Sequence, residues 1–594
     1  MCGIVGYVGP RDAAPIIHQG LKRLEYRGYD SCGIATMDGG EVKIKKGAGM
    51  IDEVEKKLHL RELPGKTGIG HTRWATHGKV SEENAHPHTD CSGEIAIVHN
   101  GIISNYLELR EGLSKRGHNF RSDTDTECIA HLIEEAYHGS LEEAVKAALG
   151  EVKGTYAVLA ISRKEPGVIL CARNESPLVL GLGEGEIFVG SDVASFLKFT
   201  REAVPLEDGE YALLTADGYV IKDLATGTEV KRGPIHLDWS DEMAEKEGYE
   251  HFMLKEISEQ PSTIVGSLNV YPEYIDGLAA RIGRVEKVYL AAAGTSLHAA
   301  MVAEYWFSQL CGKLVIAIDA SELAGRGILD PKTLVVGITQ SGETYDTLAA
   351  MKYAKGRGAE IAAVVNVVSS TATRLADHVV LQGSGIEISV CATKTFTSQL
   401  VILLRTALSL ARSQGRDVEA VERELLKAPR YVDEVIRQKE GIKAVAERYF
   451  DTPNYLYIGK GINLPSALEG ALKFKEITYH HAEGMSGGLL KHGTISLIDE
   501  RVRTVALIPA EGENKTRLIS NIQEVKARGG VVIGIASGGP VEQCDASIVT
   551  PSCLELISPL VFAPVYQLLA YYTAVGLGRN VDRPRALAKS VTVE

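Results

Sequence analysis

Hydrophobic and polar positions change rhythm once along this chain, near residue 235. Before that point, short apolar runs at 93–98, 155–161, 168–172 and 211–215 are separated by Gly and Asp turns and read as strands. Residues 127–137 and 140–149 have helical spacing. This mixture predicts an α+β layered domain with antiparallel sheets. Residues 233–239 read as a linker, and 240–258 as an acidic helical stretch. From about residue 285 the pattern changes. Apolar runs at 285–291, 333–338 and 361–365 each precede a Gly or Ser turn and a helix, as buried parallel strands do in doubly wound α/β folds.

The second half also repeats. Residues 288–294 resemble 455–461, 333–339 resemble 503–509, and 376–381 resemble 544–549, in one order and about 170 residues apart. The expected organisation is a first domain at 2–235, a linker and helical lead-in at 236–280, α/β domains at 281–425 and 445–580, and a tail at 581–594. Residues 554–578 are apolar enough for a membrane span. Glu555, Pro559, Pro564 and Gln567 within them favour a buried helix of an α/β domain.

Composition narrows the function. At 594 residues, 45% hydrophobic and 24% charged, the chain reads as a soluble protein of several domains. A net charge of −13 leaves no broad basic surface for nucleic acid or an anionic membrane. An anionic small molecule must then be held by backbone N–H groups at helix starts. The nine cysteines are odd in number and lack a Cys-x-x-Cys pair, which fits a reducing cytoplasm better than a disulfide framework or zinc ribbon. The N-terminus lacks a signal-peptide pattern.

Cys2 directly follows the initiator methionine. Removal of Met1 leaves a thiol and an α-amine on one residue, a nucleophile with its own base. The plainer reading is a small buried residue opening a strand. His71, His77, His86, His88 and His99 crowd one stretch. Cysteine and carboxylate partners are not spaced around them as a closed metal site requires, so no metal is expected there. Loop histidines bonded to backbone are one reading. Acyl transfer is another: Arg73 holds a carboxylate, Asn100 and the Gly101 N–H form an oxyanion hole, and Asp125 binds an ammonium. In the second half, Thr295-Ser296 and Thr339-Gln340-Ser341-Gly342-Glu343-Thr344 follow successive strands. They are either helix caps or a phosphate cradle. Lys473 and Glu476 share a helix face at i, i+3, where a solvated ion pair is the simple reading.

The ordered motifs Cys2-Gly-Ile-Val-Gly6, Tyr26-Arg-Gly-Tyr-Asp-Ser31, Thr72-Arg-Trp-Ala-Thr-His77, His99-Asn-Gly101 and Thr124-Asp-Thr126 resemble the class II glutamine amidotransferases. The resemblance implies an αββα Ntn-hydrolase fold. It also implies that Cys2 attacks the glutamine amide, Arg73, Thr76 and His77 hold its carboxylate, and Asp125 holds its α-amine. Asn100 and Gly101 inherit the oxyanion hole, and Trp74 the ammonia gate. The duplicated half resembles SIS (sugar isomerase) phosphosugar-binding domains.

From Cys2 to Glu594 the chain resembles the isomerising glutamine–fructose-6-phosphate aminotransferase family. That likeness implies a cytoplasmic, cofactor-free enzyme making D-glucosamine 6-phosphate and L-glutamate from D-fructose 6-phosphate and L-glutamine, the first step of amino-sugar synthesis. Thr295, Ser296, Thr339, Gln340, Ser341, Thr344 and Lys473 are expected at the sugar phosphate. Lys589 is expected to form a Schiff base at C2, and Glu476 to move a proton between C1 and C2. His492 is expected to open the sugar ring from the neighbouring subunit of a homodimer.

Two positions depart from the family pattern. Ala392 replaces a common serine, a lost hydrogen bond worth about 0.5–1.5 kcal/mol. Leu489 stands where a glutamate is frequent. Amidotransferases that use a diphosphosugar or ATP are an alternative, but no Gly-Lys-Ser/Thr P-loop is present. A sugar-phosphate sensor without turnover predicts loss of Glu476, His492 or Lys589, and all three are present.

Overall fold

The computed structural model describes residues 2–25, 28–73, 79–237, 246–368, 370–450 and 452–591. The chain forms two compact units, 1–245 with 590–594, and 246–589.

Period-two alternation builds the first unit. Along Ile95–Ile103, Ala96 and Val98 enter a core shared with Ile4, Ile69 and Val189. The intervening Ile95 and Ile97 pack with Ile129, Ile133 and Val145 on helices Glu127–Ala136 and Leu141–Glu151. With apolar residues on both faces, the strand lies between a second sheet and a helical layer. The inner layers are an eight-stranded and a seven-stranded sheet, paired antiparallel throughout. Gly3–Val8 lies inside the first, between Glu186–Gly190 and Thr67–Arg73. Helix Ala13–Leu24 covers the outer face of that sheet, with Ile17 against Gly68 and Gly70. The result is the αββα sandwich.

The second unit contains two parallel five-stranded sheets of one topology. The first runs Ile316–Asp319, Lys287–Ala292, Thr333–Thr339, Glu360–Val365, His378–Leu381. The second runs His481–Ser486, Asn454–Gly459, Val502–Ile508, Val531–Ser537, Ala546–Thr550. The three repeated segments of the sequence supply equivalent strands, so the internal likeness is a duplication of fold. Both halves feed one core, which also takes Met253, Ile264 and Leu278 from the lead-in helices. Helix Glu419–Arg437 runs through residue 425, where the first α/β domain was expected to end, and packs on both Gln260–Leu268 and Ser558–Gly576. The membrane-length apolar stretch Glu555–Gly576 is mostly buried in this core. Of the acidic stretch 240–258, Phe252–Ser258 is helical, and 238–245 lie outside the described residues.

Candidate active site

In the first unit the edge of the sandwich gathers Cys2, Arg73, Asn100, Gly101 and Asp125. Cys2 precedes Gly3–Val8, whose neighbour Thr67–Arg73 ends at Arg73. Asn100 Nδ2 donates to the Cys2 carbonyl at 3.0 Å. His71 Nε2 lies 3.0 Å from both Asn100 Oδ1 and the His99 carbonyl. Both neighbours are acceptors, so the ring is the Nε2–H tautomer and fixes which end of the Asn100 amide faces Cys2. Burial pushes the His71 pKa down to about 3, which keeps the ring neutral. Gly101 has φ +134°, and a Cβ there would overlap the Thr155 carbonyl oxygen, so only glycine fits. Asp125 accepts from Ile103 N at 2.9 Å, on the strand that carries Asn100. Burial pulls the buried Arg73 guanidinium below its ordinary value, and the charges of Cys2, Asp30 and Asp125 oppose that shift. Of the histidines for which a loop was one reading, His71, His88 and His99 lie on strands and His86 is buried: His71 stacks on His86 at 4.0 Å, and His88 meets His86 edge-on. Trp74, Thr76 and His77 lie outside the described residues.

In the second unit the C-terminal ends of two adjacent strands converge. Thr295 and Ser296 start helix Gly294–Cys311, and Thr339 to Thr344 link strand Thr333–Thr339 to helix Tyr345–Gly356. Thr339 and Thr344 hydroxyls meet at 2.9 Å, and Ser341 Oγ accepts from Glu343 N at 3.1 Å. Gln340 follows on the same turn, its carbonyl accepting from Asn366 N. Ser296 Oγ accepts from Gln399 Nε2 at 3.0 Å, and Thr295 Oγ1 donates to Glu469 at 3.0 Å.

Lys473 joins this group as a buried cation, 2.6 Å from Glu476 and 3.5 Å from Glu469. The pair is therefore not the solvated one that helical spacing alone describes. Burial pushes the Lys473 ammonium down, but Glu476 and Glu469 outweigh it and hold its pKa above the ordinary lysine value.

The tail is anchored. Asp582 accepts from Phe252 N and Met253 N, and Arg585 N donates to Tyr479 Oη. Lys589 is almost wholly buried and forms an ion pair with the buried Glu387. Glu387 also accepts from Thr393 N, Thr395 N and Thr395 Oγ1. Burial alone raises the Glu387 carboxyl, and Lys589 outweighs it, leaving the pKa below the usual range. Nearby Glu256 is pushed up to about 8 by burial and by Glu387. Sequence reading missed Glu387, Glu256 and Glu469, because a lone glutamate carries no signal of burial. His492 is exposed at the end of the Gly487–His492 turn, and among the described residues no hydrogen bond joins it to Glu476 or Lys589.

Known proteins match this arrangement. Residues 282–409 and 449–575 fit the SIS domain, and 71–198 the glutamine amidotransferase domain. The glutamine–fructose-6-phosphate aminotransferase [isomerizing] of Methanococcus maripaludis is 54% identical over 605 residues and spans all of both chains. That of Thermococcus kodakarensis is 50% identical over 604, again end to end. This chain belongs to the glutamine–fructose-6-phosphate aminotransferase family. A solved relative, the C-terminal domain of glucosamine-fructose-6-phosphate aminotransferase from Francisella tularensis, is 31% identical with a TM-score of 0.53, covering 57% of this chain and 99% of its own. Within the aminotransferase family pattern, Ala392 is half-buried between Cys391 and Thr393, and Leu489 is exposed.

Proposed function

We infer that this chain makes D-glucosamine 6-phosphate and L-glutamate from D-fructose 6-phosphate and L-glutamine. Its two kinds of domain divide the work into ammonia release and ketose-to-aldose conversion. The observation that carries the reading is the second unit's pair of buried ionic groups, Lys473–Glu476 and Lys589–Glu387, in a duplicated SIS frame. Neither is needed by a glutaminase alone.

With Met1 removed, the Cys2 thiol gives its proton to its own α-amine and attacks the glutamine side-chain carbonyl. The oxyanion falls to Asn100 and the Gly101 N–H. An amide NH2 has two hydrogens, so Asn100 can keep its bond to the Cys2 carbonyl and still donate one. Collapse of the adduct releases ammonia, and water then frees glutamate from the thioester. Arg73, Thr76 and His77 take the glutamine carboxylate, Asp125 its ammonium, and Trp74 gates the ammonia.

Thr295, Ser296, Thr339, Gln340, Ser341 and Thr344 hold the sugar phosphate at the strand ends. Lys589 pairs with Glu387, which takes the proton the amine loses before attacking C2. Ammonia displaces the lysine, and Glu476, paired with Lys473, carries a proton from C1 to C2. His492, exposed on its own chain, opens the ring in a partner's site, which makes the working form a homodimer. The nine free cysteines support a cytoplasmic setting.

Purified chain incubated with both substrates yields glucosamine 6-phosphate and glutamate in equal amounts by mass spectrometry. Glutamate alone reduces the chain to a glutaminase. Turnover of neither substrate leaves a sugar-phosphate sensor.

A further inference from the structure

One group of side chains in the first unit takes no part in this chemistry. Cys91 follows the short strand His88–Thr89, His118 lies beyond helix Tyr106–Lys115, and His131 and Glu134 sit one turn apart on helix Glu127–Ala136. Their Sγ, two ring nitrogens and a carboxylate oxygen all lie within 4.8 Å of one another.

Four of the separations are close to the edges of a tetrahedral site. Bonds of about 2.3 Å to sulfur and about 2.0–2.1 Å to nitrogen and oxygen, at tetrahedral angles, put sulfur about 3.6 Å from nitrogen and nitrogen about 3.3 Å from oxygen. Cys91 Sγ is 3.6 Å from both His118 Nδ1 and His131 Nδ1. Glu134 Oε2 is 3.0 Å from the first ring nitrogen and 3.2 Å from the second.

The rings are also supported from behind. Glu135 Oε1 lies 3.1 Å from His118 Nε2, and Glu127 Oε1 lies 3.6 Å from His131 Nε2. A carboxylate on the far nitrogen fixes the tautomer that leaves Nδ1 free to ligate. Both rings are largely buried, at 10% and 1% side-chain exposure, so the cluster is no surface accident.

We propose that Cys91, His118, His131 and Glu134 bind a structural zinc-type divalent ion. The donor set joins a thiolate and two imidazoles to one carboxylate, which suits zinc over magnesium or calcium. Four protein ligands close the coordination, leaving no position for a reacting water. Binding displaces the thiol proton and any proton on the two Nδ1 atoms.

The ion fastens three separate segments together, and one link reaches further. Glu127, behind His131, also accepts from Arg121 N, Ser122 N and Ser122 Oγ, each at 2.7 Å. Those bonds shape the turn that leads to Asp125. The histidine group weighed in the sequence, residues 71 to 99, lies elsewhere. His118 and His131 escaped notice because Cys91, His118 and the His131–Glu134 pair come from three segments separated in the chain.

The test uses the full-length chain. Purified without chelator, it carries about one zinc per chain by atomic emission. Stripped of metal, it melts at a lower temperature, and added zinc restores the midpoint. Cobalt(II) added to the stripped chain gives a thiolate-to-cobalt charge-transfer band that Cys91→Ser lacks. His118→Gln weakens cobalt binding at least tenfold. Only trace metal in the purified chain, with no cobalt–thiolate band on the unaltered protein, overturns the proposal and leaves a cluster of histidine–carboxylate hydrogen bonds. The cobalt reading on the unaltered chain decides the matter even if a variant fails to fold.

Discussion

Asn100 shows how much a single side chain depends on its neighbour. Its amide can serve an oxyanion only in one of two orientations, and the buried His71 selects it. Asn100→Ala is expected to slow glutamate release about 10²–10³-fold, the usual cost of one oxyanion donor, while synthesis from added ammonia persists. Cys2→Ala should abolish glutamine use and likewise spare the ammonia reaction. Coupled assays with glutamine or ammonium chloride separate the two activities. If glutamine use survives in Cys2→Ala, the nucleophile is assigned wrongly. Cys2, Asn100 and Gly101 stood out as candidates because each sits in a short contiguous motif, Cys2-Gly-Ile-Val-Gly6 and His99-Asn-Gly101. His71 was visible only as one histidine among five, since its partner lies on another strand. Glu387 was invisible for a related reason: nothing local distinguishes a glutamate that solvates itself from one that neutralises a buried lysine.

Among elements, the turn after strand Thr333–Thr339 is tightly constrained. Gly342 has φ +69°, and a Cβ there would overlap the Ser370 hydroxyl. Gly342→Ala therefore costs at least about 1 kcal/mol from the backbone alone, before the clash. The expected result is a raised KM for fructose 6-phosphate and a lower melting temperature of the sugar-binding unit, with glutaminase activity unchanged. An unaltered KM would remove this turn from the phosphate site. Strands and helices were largely readable here. The apolar runs at 333–338 and 361–365 are the strands Thr333–Thr339 and Glu360–Val365, because parallel strands buried on both faces need unbroken apolar sequence. The helix Glu419–Arg437 was harder to assign, since its apolar stripe faces both halves of the duplicated unit.

At the scale of the molecule, acid stability follows from buried histidines. His71, with a pKa of about 3 when folded, and His86 and His88, both held well below 6.5 by burial, stay neutral in the native first unit. Unfolded, they protonate near pH 6.5. Between that value and the folded one, the unfolded chain binds the extra protons. Stability present above pH 6.5 is thus lost as pH falls towards 3, by about 1.4 kcal/mol per pH unit for each histidine still neutral in the fold. Urea-unfolding midpoints measured from about pH 7.5 to about pH 5, across the free-histidine pKa, should fall steeply on the acid side. His71→Asn should flatten that slope. An unchanged slope would show that His71 does not stay neutral.

The sequence by itself determined the αββα and doubly wound layers and the duplication, and it pointed to Cys2 as the candidate nucleophile and to the candidate residues of both sites. Those features are written in local periodicity and in short contiguous motifs. Only the tertiary structure decided which way the Asn100 amide points, that the Lys473–Glu476 pair is buried, that Lys589 meets Glu387, and that Cys91, His118, His131 and Glu134 share one point in space. Each of these depends on segments far apart in the chain, and on a burial that changes what a charge costs. Neither quantity has a local signature that composition or spacing can carry.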